Sequence, residues 1–281
     1  MPLKEVMVLL RKLGKLCRRR DKIFPKRGID VTTLPSRDQL VQEFRARAAG
    51  VDALSRCLAA LETGTFTHPD GRSDELGDVR LHISEVALLS HFCMDCPTPL
   101  SLEVGFGMGS SATAILGTLA LRGKRFEHLI FDPGGLGDGR GLVVADYLKH
   151  EFRKQFQLVR QPSEIGLAKV LAERGKRCAG LIFIDGSHRF ENVMTDFTLA
   201  DRLCCKGGHI VFDDAWFPAV ETVVNYITAN RPDYVVAHLP VENCSVAQKV
   251  SRDRRKWDSF TPFPVPDRHD WTSSQSGRSA R

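Results

Sequence analysis

Short apolar runs alternate with amphipathic helical stretches between residues 100 and 212, and this alternation limits the chain to few architectures. Each apolar run has the length of a strand, and each helical stretch is long enough to cross back over a sheet. The apolar runs fall at residues 100–104, 128–131, 156–159, 179–184 and 209–212, and helical stretches separate them. This pattern predicts an α/β fold with a parallel sheet that is covered on both faces.

The residues after this alternation complete the predicted sheet. A helix is predicted from Pro218 to about residue 229, and the apolar runs 234–239 and 245–250 follow it one short loop apart. So short a connection favours an antiparallel hairpin over another crossover. The sequence therefore predicts a Rossmann-like, doubly wound, mostly parallel sheet of seven strands with a terminal antiparallel hairpin.

Three regions are predicted along the chain: a helical N-terminal extension at 1–79, the sheet domain at 80–250 and a flexible basic tail at 251–281. The extension has one or two helices within 37–62 and a polar loop at 63–78. It begins with a basic amphipathic helix. Such a helix suits packing on the parent domain, contact with a membrane surface, or pairing with a second copy in a homodimer.

Charge is unevenly distributed along the chain. The formal net charge is +6, and residues 1–31 carry +7, residues 251–281 carry +3 and the remaining 32–250 carry −4. Because the basic charge lies at the ends and the globular part is mildly acidic, nucleic-acid binding is not favoured. No apolar run reaches the roughly 18 residues that a membrane-spanning helix needs, so we predict no transmembrane segment.

The eight cysteines show no disulfide framework spacing, which favours a reduced, cytoplasmic protein. Cys93 and Cys96 form a lone C-x-x-C pair without a second pair or a histidine nearby. Since a zinc site needs about four ligands, a metal or redox role for this pair is not favoured.

A glycine-rich turn joins the first strand of the domain to its first helix. Residues 103–111 read Glu-Val-Gly-Phe-Gly-Met-Gly-Ser-Ser. Glycines permit a tight turn and a close approach of ligand to backbone, and the helix N-terminus beyond them offers free N–H groups. A dinucleotide-binding fingerprint would place its third glycine where this chain has Ser110, which argues against NAD.

The glycine spacing, with Glu103 two residues before the first glycine, resembles motif I of the class I S-adenosylmethionine-dependent methyltransferases. The resemblance implies that this turn binds S-adenosylmethionine. It further implies that Asp132, 29 residues after Glu103 at the end of the second strand, accepts hydrogen bonds from the ribose, and that Ser163 lies near adenine. Asp132 equally suits a turn before Pro-Gly-Gly. The implied cofactor-binding residues of the turn are Glu103, Gly105, Phe106, Gly107, Gly109, Ser110 and Ser111.

Carboxylates follow the fourth and fifth strands. Asp185 comes directly after the run 179–184, and Asp213 and Asp214 come directly after 209–212. Neighbouring parallel strands end at the same edge of a sheet, so we expect these acids to converge beside the cofactor. Crowded carboxylates repel one another, and a divalent cation such as Mg²⁺ relieves the repulsion. A solvent-facing or helix-capping Asp-Asp pair is the alternative.

This arrangement resembles the metal-dependent small-molecule O-methyltransferases of the catechol type, and more closely those that act on antibiotic sugars. The resemblance implies that Asp185, Asp213 and Asp214 bind the cation, and that Asp185 also lies beside the cofactor. A turn at Lys206-Gly207-Gly208 before the fifth strand fits the same pattern.

The catalytic residues predicted from this arrangement are Asp185 and His188. His188 is the candidate base, since imidazoles exchange protons near neutral pH; it could instead orient Asp185, and the catechol type has a lysine in this loop. Trp216 and Phe217 either wall the substrate pocket or close the core. His209, within a strand, is predicted to be a packed core residue.

The leading hypothesis is therefore a metal-assisted O-methyltransferase that acts on a small-molecule or glycosyl hydroxyl, and methyl transfer to nitrogen is left open. A non-catalytic cofactor-binding or scaffolding module is one alternative. A nicotinamide-dependent oxidoreductase is another, although the missing third glycine argues against it.

Overall fold

The computed structural model describes residues 29–77, 80–134, 141–237, 239, 241 and 243–266. The predicted helix near the N-terminus lies outside the described residues, as do residues 267–281 of the predicted tail. The helices are α1 Arg37–Ala48, α2 Asp52–Thr63, α3 Ile83–Met94, α4 Ser110–Leu121, α5 Leu142–Phe152, α6 Ser163–Arg174, α7 Phe190–Leu203 and α8 Pro218–Asn230. The strands are β1 Thr65–Thr67, β2 Ser73–Glu75, β3 Leu100–Val104, β4 Glu127–Phe131, β5 Phe156–Val159, β6 Ala179–Ile184, β7 Cys204–Phe212, β8 Tyr234–Ala237 and β9 Ser245–Lys249.

The main sheet has seven strands in the order β5-β4-β3-β6-β7-β9-β8. The strands β3 to β7 pair in parallel, and β9 pairs antiparallel with both β7 and β8. The predicted doubly wound fold with a terminal antiparallel hairpin is therefore confirmed. The strand order reverses between β3 and β6, where the carboxyl ends of parallel strands leave a crevice for ligands.

Alternate residues of the central strand β6 supply two different cores. Leu181 and Phe183 pack with the helices on one face, and Ile182 and Ile184 pack with those on the other. Side chains of a strand point alternately to opposite faces, and both faces here are covered. For this reason every residue of β6 is buried, and the strand reads as an unbroken apolar run.

The fifth parallel strand is longer than predicted. We expected it at residues 209–212 after a turn at Lys206-Gly207-Gly208, but β7 begins at Cys204 and includes that segment. The pairing with β6 shifts register between Ala179 and Leu181, and Gly207 has a φ of +81°. The predicted start of the strand was wrong, because Cys204 already pairs with Ala179, and Lys206-Gly207-Gly208 forms an irregularity within the longer strand instead of a turn before it.

Helices α1 and α2 share a core with the sheet. Leu40 and Phe44 of α1 and Leu54 of α2 belong to the same buried cluster as Phe183 of β6. The polar segment predicted as a loop at 63–78 contains the antiparallel hairpin β1–β2. Residues from 29–77 therefore contribute to the core on one face of the sheet. The predicted domain boundary at residue 80 stays a prediction.

Residues 250–266 form neither helix nor strand, as the sequence predicts for this part of the tail. They nevertheless contact α8. The Asn230 side chain donates to the Thr261 carbonyl at 2.8 Å and accepts the Thr261 N–H at 2.7 Å, and Phe263 contacts the Tyr226 ring. Among the described helices, none combines the length and the apolar character needed to cross a membrane.

Candidate active site

The glycine turn connects β3 to α4 at the carboxyl edge of the sheet. Gly105, Gly107 and Gly109 have φ values of +87°, +51° and +73°, a region that residues with a Cβ rarely adopt. A Cβ on Gly105 would lie 1.9 Å from the carbonyl oxygen of Asp185, whereas one on Gly107 would meet nothing within 4 Å. The turn is therefore held against the end of β6 at Gly105 and open toward a ligand at Gly107.

Glu103 lies fully buried beneath this turn. Its Oε1 accepts a hydrogen bond from the Ser111 hydroxyl at 2.5 Å, and its Oε2 lies 2.7 Å from Nε2 of His128. His128 lies opposite Ser101 in the β3–β4 register and contacts the Ser101 hydroxyl. Glu103 thus ties the first turn of α4 to β4, and its predicted contact with the cofactor stays a prediction. The sequence did not single out His128, because its role depends on the register between strands.

Asp132 connects the end of β4 to the glycine turn. Its Oδ2 accepts the N–H of Phe106 at 2.8 Å, and its Oδ1 accepts the N–H of Gly134 at 2.7 Å. The second bond is the turn-forming role that the sequence allowed, and the first orients the glycine turn. Each carboxylate oxygen has a second lone pair, so both bonds are compatible with the predicted contact to a ribose.

Ser163 is the first residue of α6 and lies after β5, as expected. Its side chain is hydrogen-bonded to Asp196 of α7, which is buried. Burial raises the pKa of Asp196 to about 6, although the bond from Ser163 opposes the rise. The sequence analysis did not identify Asp196, because a single acid on an amphipathic helix carries no distinguishing pattern. The predicted contact between Ser163 and adenine stays a prediction.

Asp185, His188 and Asp214 form a cluster at the carboxyl ends of β6 and β7. One ligand atom from each residue lies within 4.8 Å of the other two. His188 Nε2 is 3.2 Å from Asp214 Oδ2, yet it lacks a partner with hydrogen-bond geometry among the described residues. The side chains of His188 and Asp214 are 34% and 25% exposed. Two carboxylates and an unpartnered imidazole nitrogen are a chemically suitable donor set for a divalent cation.

The third predicted cation ligand, Asp213, lies in a different cluster. It is 5% exposed and groups with Glu85 and Cys244, both buried. Cys244 donates to Asp213 Oδ1 at 3.3 Å, and Glu85 accepts the N–H of His82 at 2.6 Å. Consecutive side chains of an extended segment point to opposite sides, and Asp214 has a φ of +48°, so the two aspartates diverge. The partly exposed cluster therefore contains His188 together with Asp185 and Asp214, where the sequence predicted Asp213.

The two clusters remain close enough to interact electrostatically. Burial, together with the charges of Asp213 and Asp214, raises the pKa of Asp185 well above its ordinary value. Burial, with Glu85 and Asp214 nearby, raises the pKa of Asp213 to about 8. Concentrated negative charge at this edge favours a positively charged occupant.

A stack of three rings borders the cluster. The ring of His188 stacks on Phe217 with 4.6 Å between centroids, and Phe217 stacks on Trp216 at 4.1 Å. Trp216 Nε1 donates to Asp214 Oδ1 at 3.0 Å. All three rings are partly exposed, and Phe217 also packs against the core on one face of the sheet. That Trp216 and Phe217 wall a substrate pocket stays a prediction.

Two other predictions concern residues away from the cleft. His209 is a packed core residue, as predicted: it is 1% exposed and stacks on Phe92, and its Nε2 contacts the Ile29 carbonyl. Burial lowers its pKa to about 4. Cys93 and Cys96 are free and buried, and in the described part of the chain neither belongs to a metal-donor cluster.

Comparison with known proteins extends the resemblance noted in the sequence. The model of a family described as a methyltransferase domain matches residues 102–215, which span the glycine turn and all the strand-end acids. An uncharacterized protein of Acanthamoeba polyphaga mimivirus is 44% identical over 54 residues, which are 18% of this chain and 24% of that protein. The chain thus covers about a quarter of that relative.

Solved structures resemble this chain at low sequence identity. The cofactor-bound Rv0187 from MTB superposes with a TM-score of 0.51 at 17% identity, covering 72% of this chain and 91% of that one. The apo structure of a TDP-rhamnose 3'-O-methyltransferase of calicheamicin biosynthesis gives a TM-score of 0.48 at 14% identity, covering 78% and 99%. The predicted resemblance to methyltransferases is confirmed by the family match.

Proposed function

We propose that this chain, whose residues 102–215 match a family model described as a methyltransferase domain, transfers the methyl group of S-adenosylmethionine to a hydroxyl of a small-molecule or glycosyl acceptor, assisted by a divalent cation. The observation that carries the proposal is the cluster of Asp185, His188 and Asp214 at the strand ends beside the glycine turn. Backbone contacts between Gly105 and Asp185 join the two halves of the site.

The glycine turn suits the methyl donor. Open space above Gly107 allows a ligand to approach the backbone, and the N-terminus of α4 supplies N–H groups toward a carboxylate. S-adenosylmethionine, when bound, supplies an electrophilic methyl group on a sulfonium. Asp132 holds the Phe106 N–H and accepts from the ribose, and Ser163, at the start of α6, lies on the adenine side.

The strand-end cluster suits a cation. Asp185 and Asp214 supply carboxylate oxygens, and His188 supplies an imidazole nitrogen without another hydrogen-bond partner in the described chain. Carboxylates suit Mg²⁺ and Mn²⁺, and the imidazole extends the choice to other transition metals. A divalent cation, when bound, supplies Lewis acidity that lowers the pKa of a contacting hydroxyl.

The chain's own groups perform the remaining tasks. Asp185 and Asp214 orient the acceptor hydroxyl toward the donor, and placement of the reacting groups supplies much of the rate. His188 Nε2 is the group of the cluster that accepts a proton from the acceptor if it does not coordinate the cation. The stacked Phe217 and Trp216 exclude water on one side of the cleft.

The first experiment measures methyl transfer directly. Purified protein is incubated with labelled S-adenosylmethionine and pools of hydroxylated acceptors, with added Mg²⁺ or Mn²⁺ or with EDTA. We expect label in a hydroxylated product, and loss of that product with EDTA. Calorimetry should detect S-adenosylhomocysteine but not NADH. Failure of both S-adenosyl compounds to bind contradicts the proposal, and binding of NADH supports the oxidoreductase alternative.

A second experiment separates catalysis from scaffolding. Asp214→Ala should abolish transfer and metal binding while S-adenosylhomocysteine still binds, because Asp214 lies in the cation cluster and not in the glycine turn. Asp258→Asn, which changes an exposed carboxylate outside the cleft, is the matched control and should leave transfer unchanged. A wild-type protein that binds the donor but labels no acceptor under any metal condition supports the scaffold.

A further inference from the structure

A large cavity lies at the amino edge of the sheet, opposite the carboxyl edge that holds the candidate active site. Its volume is about 780 Å³, and its lining includes Leu100 at the start of β3, Glu127 at the start of β4 and Cys178 just before β6. Parallel strands of five or six residues separate the two edges by roughly 17–20 Å. The cavity is therefore distinct from the methyl-transfer site.

The lining of this cavity is strongly basic. Eight lysine or arginine side chains contribute to it, and Glu127 is the one carboxylate among its described lining residues. Residues 32–250 nevertheless carry a net charge of −4. Seven of the 23 lysines and arginines in this range line the cavity, together with Arg252, and a concave, like-charged surface focuses potential on anions.

Part of this charge has a structural explanation. Helices α3, α4, α6 and α7 end at this edge, and cations stabilise helix C-termini. Arg122 donates to the carbonyls of Cys93 and Cys96, Arg174 pairs with Glu127, and Lys249 pairs with Asp201. These three cations are satisfied by the fold.

Four further cations that line the cavity have no ion-pair partner in the described part of the chain. Within the described part of the chain, no ion pair is formed by the following lining residues: Lys124, Arg125, Arg177 and Lys206. Arg177 also has a φ of +61°, a conformation that costs a non-glycine residue about 1–2 kcal/mol. Mutual repulsion and backbone strain at one cavity indicate a surface shaped for an anionic ligand.

The known terminal segments are poor candidates for that ligand. Residues 1–28 contain ten Lys or Arg against two Asp or Glu, and residues 267–281 contain three against two. A basic segment would add to the repulsion in the cavity, so neither of these two segments supplies the complementary anionic group.

We propose that this cavity binds a nucleoside polyphosphate. Its volume lies within the range of about 300–1,000 Å³ typical of small-molecule sites, which favours a compact ligand over a nucleic acid lying on an open surface. Lys124, Arg125, Arg177 and Lys206 face the phosphates. Apolar side chains such as Leu119 and Phe126 in the same lining accommodate the base and sugar.

Calorimetry with ATP, adenosine and sodium tripolyphosphate tests the proposal, each titration being repeated with saturating S-adenosylhomocysteine. We expect ATP to bind with and without S-adenosylhomocysteine, tripolyphosphate to bind more weakly, and adenosine to bind the protein only when S-adenosylhomocysteine is absent. The affinity for ATP should fall as salt increases. Complete competition between ATP and S-adenosylhomocysteine would place ATP in the methyl-donor site and overturn the proposal.

Paired charge reversals locate the site. Lys124→Glu with Lys206→Glu should weaken ATP binding by at least about 10-fold and leave S-adenosylhomocysteine binding unchanged. The matched control is Lys149→Glu with Lys154→Glu, two exposed lysines outside the cavity, and it should retain ATP affinity. Equal weakening in both double variants, no heat with ATP or tripolyphosphate, or binding of single-stranded RNA without binding of ATP contradicts the proposal. Because donor binding is measured separately, the proposed methyl transfer can fail without affecting this test.

Discussion

The two edges of the central sheet carry opposite charge, although the same strands build both. At the carboxyl edge, β6 and β7 end in Asp185, Asp213 and Asp214, and Glu103 and Glu85 lie nearby. At the amino edge, eight cations line a cavity with a single described carboxylate. The difference teaches that a modest net charge can conceal two strong fields of opposite sign, each at the place where a ligand can enter.

The edges also differ in how their charges are held. Acids at the carboxyl edge are buried or half-buried beside one another, and their pKa values rise in consequence. At the amino edge Lys124, Arg125 and Lys206 are exposed and hydrated. Buried like charges need a bound cation or protons, whereas exposed ones are stabilised by water and bind anions more weakly. We therefore expect larger mutational effects at the carboxyl edge.

The largest expected effect separates the two acidic clusters. Asp185→Asn should lower methyl transfer by about 100-fold or more, since loss of a cation ligand removes several kcal/mol of transition-state stabilisation. Asp213→Asn, in the buried cluster with Glu85 and Cys244, should cost less than about 10-fold. Rates at saturating donor and metal provide the measurement. Equal losses of methyl transfer in the two variants would mean that Asp213 also binds the cation, as the sequence predicted.

A second prediction concerns the contact between the glycine turn and β6. Gly105→Ala should destabilise the fold by about 2–4 kcal/mol, because its Cβ would overlap the Asp185 carbonyl, and should abolish donor binding. Gly123→Ala is the matched control: its φ of +61° is also positive but a Cβ there meets nothing within 4 Å. It should cost only about 1 kcal/mol. Urea unfolding measures the loss of stability in each variant. Equal losses would mean that backbone strain alone, and not the overlap with Asp185, destabilises Gly105→Ala.

A third prediction follows from Asp196. Its pKa of about 6 in the folded protein exceeds that of an unfolded aspartate, so folding favours the protonated form. The contribution of Asp196 to the free energy of unfolding should be fully present below about pH 4, fall by about 2–3 kcal/mol as the pH rises from about 4 to 6, and then level off. Asp196→Asn should flatten this part of the profile and stabilise the protein at pH 7. An unchanged profile in the variant would assign the pH dependence to other groups.

The smallest expected effect is at the basic edge. Glu127→Gln removes the carboxylate that pairs with Arg174, whose side chain is 32% exposed. Since partly exposed ion pairs contribute little, the loss of stability should be below about 1 kcal/mol. The affinity for ATP should rise about two- to fivefold, because a repelling charge is lost and Arg174 is released. Weaker binding would show that Glu127 positions Arg174 for the ligand.

Much of the molecule follows from local sequence patterns. The alternation of apolar runs and helices predicts the sheet and its hairpin, and the glycines at 105, 107 and 109 predict the turn that lies against β6. The strand at 204–212 was predicted too short, because Lys206-Gly207-Gly208 has the composition of a turn. Cys204 and His209 on either side of them both pair with β6, so the strand continues across this irregularity. Such long-range pairing is not a local property.

The sequence by itself determined which residues reach the carboxyl edge, since strand length and glycine spacing are set by the order of residues along the chain. Only the tertiary structure decided how those residues group. Asp213 and Asp214 are neighbours in the chain yet belong to different clusters, because a left-handed backbone at Asp214 and contacts with Glu85 and Cys244 turn them apart. The basic cavity likewise assembles residues from four strands and two helices, since side chains distant in sequence become neighbours only when the sheet forms.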